Sequence, residues 1–164
     1  MVDLAQQISG LEDIDAIEAM DYVARWMRDE AQREGKISAE ILGEIGDEQA
    51  ATKILSEIFP ELSGPLKETL AADESQKGRI ARNYLLFLAE EERYAPKVQE
   101  ALDRPSCRGE PLSSLVIITG IIFLLSLEFE IEYENVNGER HVRWRFARKA
   151  TPVEIVEKIL GREK

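Results

Sequence analysis

The residues whose types and spacing could do chemistry crowd into one stretch, 127–147. His141 is the sole histidine of the chain, and Glu128, Glu130, Glu132 and Glu134 recur at every second position before it. In an extended strand such carboxylates share one face and stand about 7 Å apart. That is near the separation of the carboxylate pairs that hydrolyse glycosides. An imidazole beside them could serve as a base close to neutral pH.

The residues between and after them favour a different reading. Asn137-Gly138 is the strongest short-range hairpin signal, because both residues tolerate the positive φ of a type I′ turn. A two-residue turn there pairs Glu132 with Arg143, Glu130 with Arg145 and Glu134 with His141. It also sets Phe129 against Phe146, Ile131 against Trp144 and Tyr133 against Val142. Salt bridges on one face and apolar contact on the other then account for the whole pattern without catalysis.

Other reactive types fare no better. Glu90, Glu91 and Glu92 are consecutive, and consecutive helical positions point in different directions, so a solvated helix end is expected in place of a metal site. Cys107 is the only cysteine, which excludes an intrachain disulfide and a cysteine-based metal site. No P-loop, nucleophile elbow or glycine-rich dinucleotide turn is present. The sequence therefore leads us to expect no catalytic residue, no cofactor, no metal and no enzymatic activity.

Tyr22 and Trp26 are a different kind of candidate. They lie four residues apart on a helix, away from its main apolar stripe. Either they anchor a partner, since aromatic residues dominate binding hot spots, or this helix buries a second face, which the average burial of tryptophan favours. Ile118, Ile122 and Trp144 join them as candidate partner-binding residues.

The elements that must position these residues follow from periodicity. Residues 12–34 read as a long helix with Ile17, Met20, Ala24, Met27 and Ala31 on one stripe, closed by Gly35. Shorter helices follow around Ile41 and Ile45, then from Asp47 to Pro60, then around Leu66 and Leu70. Residues 76–93 carry apolar side chains around most of the helix circumference, the mark of a buried helix, and a last turn or two follows Pro96. Residues 103–111 read as a linker. After it come an apolar run at 112–127, strands at 127–134 and 139–147, and a helix at 152–160. Thr151, Pro152 and Glu154 supply a capping box with proline at the first helical position.

The expected fold is thus α+β. An orthogonal bundle of five or six short helices (1–102) precedes an α-β-β-α module (112–164) in which two helices cover one antiparallel β-hairpin.

Charge divides along the same line. Residues 1–100 hold 11 basic and 22 acidic side chains, and residues 101–164 hold ten of each, so the net charge of −11 lies wholly in the first part. Such acidity repels phosphate backbones and argues against nucleic acid. Proteins with a basic surface are better partners. The N-terminal residues MVDLAQQISG lack the basic and apolar regions of a secretory signal, so a cytoplasmic protein is expected.

Residues 112–127 raise a membrane alternative. Sixteen residues make about 24 Å of helix at 1.5 Å per residue, short of a bilayer core of about 30 Å. A buried core helix covering the hairpin is the preferred reading. Something else must cover its far side: the N-terminal bundle, a second copy, or another subunit. The function expected from all this is a non-enzymatic protein–protein interaction module, a small adaptor, regulatory or accessory subunit. It would form a homodimer through the hairpin edge or the apolar helix. The alternative is a membrane-associated protein anchored through 112–127.

Overall fold

The computed structural model describes residues 3–58, 60–104, 113–137, 139–146 and 152–161; for residues 58, 62, 70, 113, 129–136, 139–146 and 152 it describes the backbone alone. In chain order the helices are α1 (Leu4–Ser9), α2 (Asp13–Arg33), α3 (Ala39–Glu44), α4 (Glu48–Ile58), a 3-10 turn (Pro60–Leu62), α5 (Ser63–Leu70), α6 (Glu74–Ala89), α7 (Ala95–Asp103), α8 (Ser113–Glu128) and α9 (Pro152–Leu160).

Local chemistry explains where these helices begin and end. The Ser38 side chain caps α3 by accepting the Ile41 amide at 3.2 Å. Asp73 and Gln76 form a reciprocal capping box at the start of α6. Gly35 follows α2 with φ +71°, a left-handed conformation that a Cβ would strain, and the Lys36 amide turns back onto the Ala31 carbonyl at 2.8 Å.

The core is helix on helix. From α2, Ile17, Met20, Ala24, Met27 and Ala31 are buried; from α6, Ile80, Ala81, Tyr84, Leu85 and Leu88; and from α8, Ile117, Ile118, Ile121, Ile122, Leu124 and Leu125. α2 packs along both α6 and α8, while α4 covers α8 from another side and α9 lies on α6. Gly120 permits a close approach of α8 to α2 and α6. A Cβ there would stand 2.7 Å from Met20 Cε, 3.5 Å from Tyr84 Oη and 3.6 Å from Ala24 Cβ.

The α+β class is corrected by this arrangement. Of the residues described with their side chains, 81% are helical and none lies in a strand, so the protein is classed by its helices and a β-hairpin is not a layer of its core. The backbone at Phe129–Val136 and Glu139–Phe146 does run antiparallel, with Phe129 opposite Phe146 and Ile131 opposite Trp144, and among the described residues no third strand is added to that ribbon.

The α-β-β-α module is corrected for the same reason. Its two helices do not enclose the ribbon: α8 is packed against α2 and α4, and α9 against α6. An amphipathic or apolar sequence shows that a surface must be covered, and it does not name the cover. Here the helices of the N-terminal part supply it. The cross-strand charge pairs expected at Glu130, Glu132, Glu134, His141, Arg143 and Arg145 lie outside the described side chains.

α8 is apolar around its whole circumference because it runs through the protein interior. Ile117, Ile118 and Ile121 are 0% exposed. Two of its hydroxyls bond within the helix: buried Ser126 donates to the Ile122 carbonyl at 2.8 Å and half-buried Thr119 to the Leu115 carbonyl at 2.7 Å. Among the described residues, no helix is long and apolar enough to cross a membrane.

Candidate functional site

The most developed surface arrangement lies where α2 and α7 meet. Tyr22 and Trp26 project from α2 one turn apart, and both are half-buried. Four residues around the start and length of α7 close on them. The Tyr94 ring meets Trp26 edge-on, centroids 6.2 Å apart and planes at 81°. The Lys97 ammonium sits between the two α2 rings, 5.9 Å from the Tyr22 centroid and 5.5 Å from that of Trp26. Arg104 covers the other part of Tyr22 with its guanidinium carbon 4.1 Å from the ring centroid. Glu100 ties the set together, accepting the Tyr22 hydroxyl and the Lys97 ammonium at 2.8 Å.

Arg93 extends the row. It lies 5.6 Å from the Tyr94 centroid and donates to the Glu34 carboxylate at 2.5 Å, with Glu30 at 4.0 Å. Tyr94 itself is 1% exposed. The result is a row of three rings, Tyr22, Trp26 and Tyr94, whose faces are held by three cations. Each cation–π contact at a surface of this kind contributes about 0.5–1 kcal/mol.

The electrostatics suit recognition better than proton transfer. The hydrogen bond to Glu100 raises the Tyr22 phenol above its ordinary value, with burial adding to it. Hydrogen bonds from Lys97 and then from Tyr22 hold the Glu100 carboxyl below its ordinary value. Both groups move away from neutrality, so at pH 7 one is a fixed donor and the other a fixed acceptor. At Arg93 burial disfavours the cation, and the Glu34 hydrogen bond together with the charges of Tyr94, Glu34 and Glu128 outweighs it, raising the guanidinium further.

No protein-family model, curated protein or solved structure matches this chain.

The other candidate residues are placed apart from this face. Ile118 and Ile122 are 0% and 1% exposed on α8, so a partner cannot reach them without opening the core. Trp144 belongs to the second strand, and its side chain lies outside the described residues, as do that of His141 and all of Cys107. Glu90 lies 3.8 Å from Lys158 of α9 as an exposed ion pair. Among the described residues, no group of three or more His, Cys, Asp and Glu side chains could hold a metal ion.

Sequence reading singled out Tyr22 and Trp26 of this face and passed over Arg93, Tyr94, Lys97, Glu100 and Arg104. A signal was present: Lys97, Glu100 and Arg104 stand at helical i, i+3, i+7 spacing, one face of a short helix. Nothing in that spacing, however, says which other helix the face meets.

Proposed function

We propose that this chain is a non-enzymatic protein–protein interaction module, a small adaptor, regulatory or accessory subunit acting in the cytoplasm, and that the α2–α7 face is its contact surface. The observation that carries the proposal is the fixing of Tyr22 and Trp26. Half-buried aromatic anchors already held in place by Lys97, Arg104 and Tyr94 lose little side-chain freedom when a partner covers them. Aromatic residues with arginine beside them are also the types that dominate binding energy at interfaces. The surrounding charge gives the partner a sign. Residues 1–100 supply the whole net charge of −11, which would steer this region toward a basic protein surface and away from nucleic acid.

The test is capture of partners from the native source by the wild-type chain and by two variants, Trp26→Ala and Arg104→Glu. The strongest partner is then purified and titrated against each. Loss of a hot-spot residue costs about 2 kcal/mol or more, close to thirtyfold in affinity. We expect that loss for Trp26→Ala and a smaller one for Arg104→Glu, in which the cation that holds the Tyr22 ring is lost while the added negative charge, favourable toward a basic partner, offsets part of the loss. A Trp26→Ala chain that retains its helical circular dichroism and binds as the wild type does would refute the assignment.

A further inference from the structure

Two aromatic rings and a carboxylate of the α2–α7 face meet around one point, and a lysine of the same chain stands there. The Lys97 ammonium lies 5.9 Å from the Tyr22 centroid, 5.5 Å from the Trp26 centroid and 2.8 Å from the Glu100 carboxylate. Ring faces together with a carboxylate are the parts of a receptor for a cationic side chain.

The receptor is set by residues other than its occupant. Trp26 is fixed by the edge of the buried Tyr94 ring. Tyr22 is fixed by its hydroxyl on Glu100 and by the Arg104 guanidinium 4.1 Å from its centroid. Lys97, by contrast, is loosely held. Both of its ring distances are close to the outer limit of about 6 Å for a cation–π contact. Among the described residues its ammonium makes one hydrogen bond, to Glu100 three positions along the same helix, and a surface pair at that spacing adds little. The flexible four-carbon stem lets the ammonium leave for water.

An arginine suits the site better than this lysine does. A planar guanidinium can lie flat on an indole while its N–H fork takes both oxygens of a carboxylate. Glu100 is open to such an approach, its side chain being 51% exposed. The sign agrees with the region around it, since residues 1–100 carry the whole net charge of −11.

We propose that Tyr22, Trp26 and Glu100 form a docking site for an arginine of a partner protein, and that Lys97 occupies this site in cis as a competitor the partner displaces. The proposal rests on the α2–α7 face being the contact surface. Its consequence is that removal of Lys97 strengthens binding, which removal of a mere brace would not do.

Four chains are titrated with a short peptide of alternating arginine and serine: wild type, Lys97→Met, Lys97→Arg and a charge control, Lys53→Met, which removes an exposed lysine of α4. Lys97→Met keeps the aliphatic stem and empties the site, so it should bind about fivefold or more tightly than the wild type. Lys53→Met should change binding by less than about twofold, because a distant charge is screened. Lys97→Arg leaves the net charge unaltered and supplies a better competitor, so it should bind more weakly than the wild type. Lys97→Met binding no tighter than Lys53→Met would overturn the proposal, as would Lys97→Arg binding as tightly as the wild type. A matching lysine–serine peptide should gain less from Lys97→Met, and an equal gain would overturn the assignment to arginine. If Lys97→Met loses its helical circular dichroism, Lys97→Arg alone decides. Loss of native-partner binding in Trp26→Ala with no gain in Lys97→Met refutes the competitor and leaves the contact face standing.

Discussion

The hydroxyl of Tyr84 donates to the backbone carbonyl of Gly120 at 2.9 Å, with Met27 Sδ at 3.2 Å. This bond stands where α2, α6 and α8 converge, and Tyr84 is fully buried there. Burial pushes its phenol well above the ordinary 10.0, and the charge of Tyr94 adds to the rise.

The sign of the resulting pH dependence follows. In the unfolded chain this tyrosine ionises near pH 10, whereas in the folded chain it keeps its proton. The unfolded state therefore binds fewer protons above pH 10, and the stability present below that pH is lost as the pH climbs, by up to about 1.4 kcal/mol per unit. Tyr84→Phe should cost about 1 kcal/mol near neutrality through the lost hydrogen bond. It should also remove the Tyr84 share of the alkaline loss, so wild type and variant should converge in stability at about pH 11. Urea unfolding at about pH 8 and about pH 11 checks both; a constant gap between the two proteins would contradict the account.

Gly78 should resist enlargement. A Cβ on this α6 residue would fall 2.5 Å from the Cβ of Asp13, at the start of α2. Asp13 in turn receives Arg82 at 2.9 Å, and Arg82 also donates to the Leu11 carbonyl at 3.2 Å. Alanine is the better helix former, so its intrinsic effect would be stabilising by about 1 kcal/mol. The clash is with the root of a side chain and cannot be relieved by rotation. Gly78→Ala should therefore destabilise by about 1–3 kcal/mol, and Asp13→Gly in that background should recover part of the loss. Thermal melting of the wild type and the two variants reads the result.

Lys36 should prove structural despite its position just past α2. Its ammonium donates to the Leu127 carbonyl at 2.8 Å, in the last turn of α8, where carbonyls have no partner within the helix and the dipole favours a cation. Lys36→Met keeps the aliphatic stem and removes that bond. It should cost about 1–2 kcal/mol, seen as a fall of several degrees in melting temperature. An unchanged melting temperature would mean that water replaces the ammonium without penalty.

What the sequence made legible was local. The stripe from Ile17 to Ala31 named five residues of the buried face of α2, to which the structure adds Ala16, Ala19 and Val23, and Gly35 marked its end. The stop at Pro60 likewise followed from short-range rules. What it left open was tertiary. All-round apolarity at 112–127 said that α8 is covered, and strict alternation at 127–134 suggested the ribbon as its cover. The cover is instead α2, α4 and α6, and Met20 and Ala24 of α2 meet Gly120 of α8 from far away in the chain. Likewise Thr151, Pro152 and Glu154 announced the start of α9, while its destination on Asn83 and Phe87 left no mark in the local pattern. The α2–α7 face was half legible: Tyr22 and Trp26 stood out by type, whereas the cations that hold them come from a helix whose docking side no spacing rule specifies.

The central claim is that the most apolar helix of the chain is covered from within, by α2, α4 and α6. Amide hydrogen exchange in detergent-free buffer tests it most directly, since protection measures the free energy of exposing each backbone group. The account predicts that amides from Ile117 to Leu125 exchange among the slowest in the protein, together with those of Met20–Met27 and Ala81–Leu85. Rapid exchange across α8 in water, slowed only when lipid vesicles or detergent are added, would contradict it.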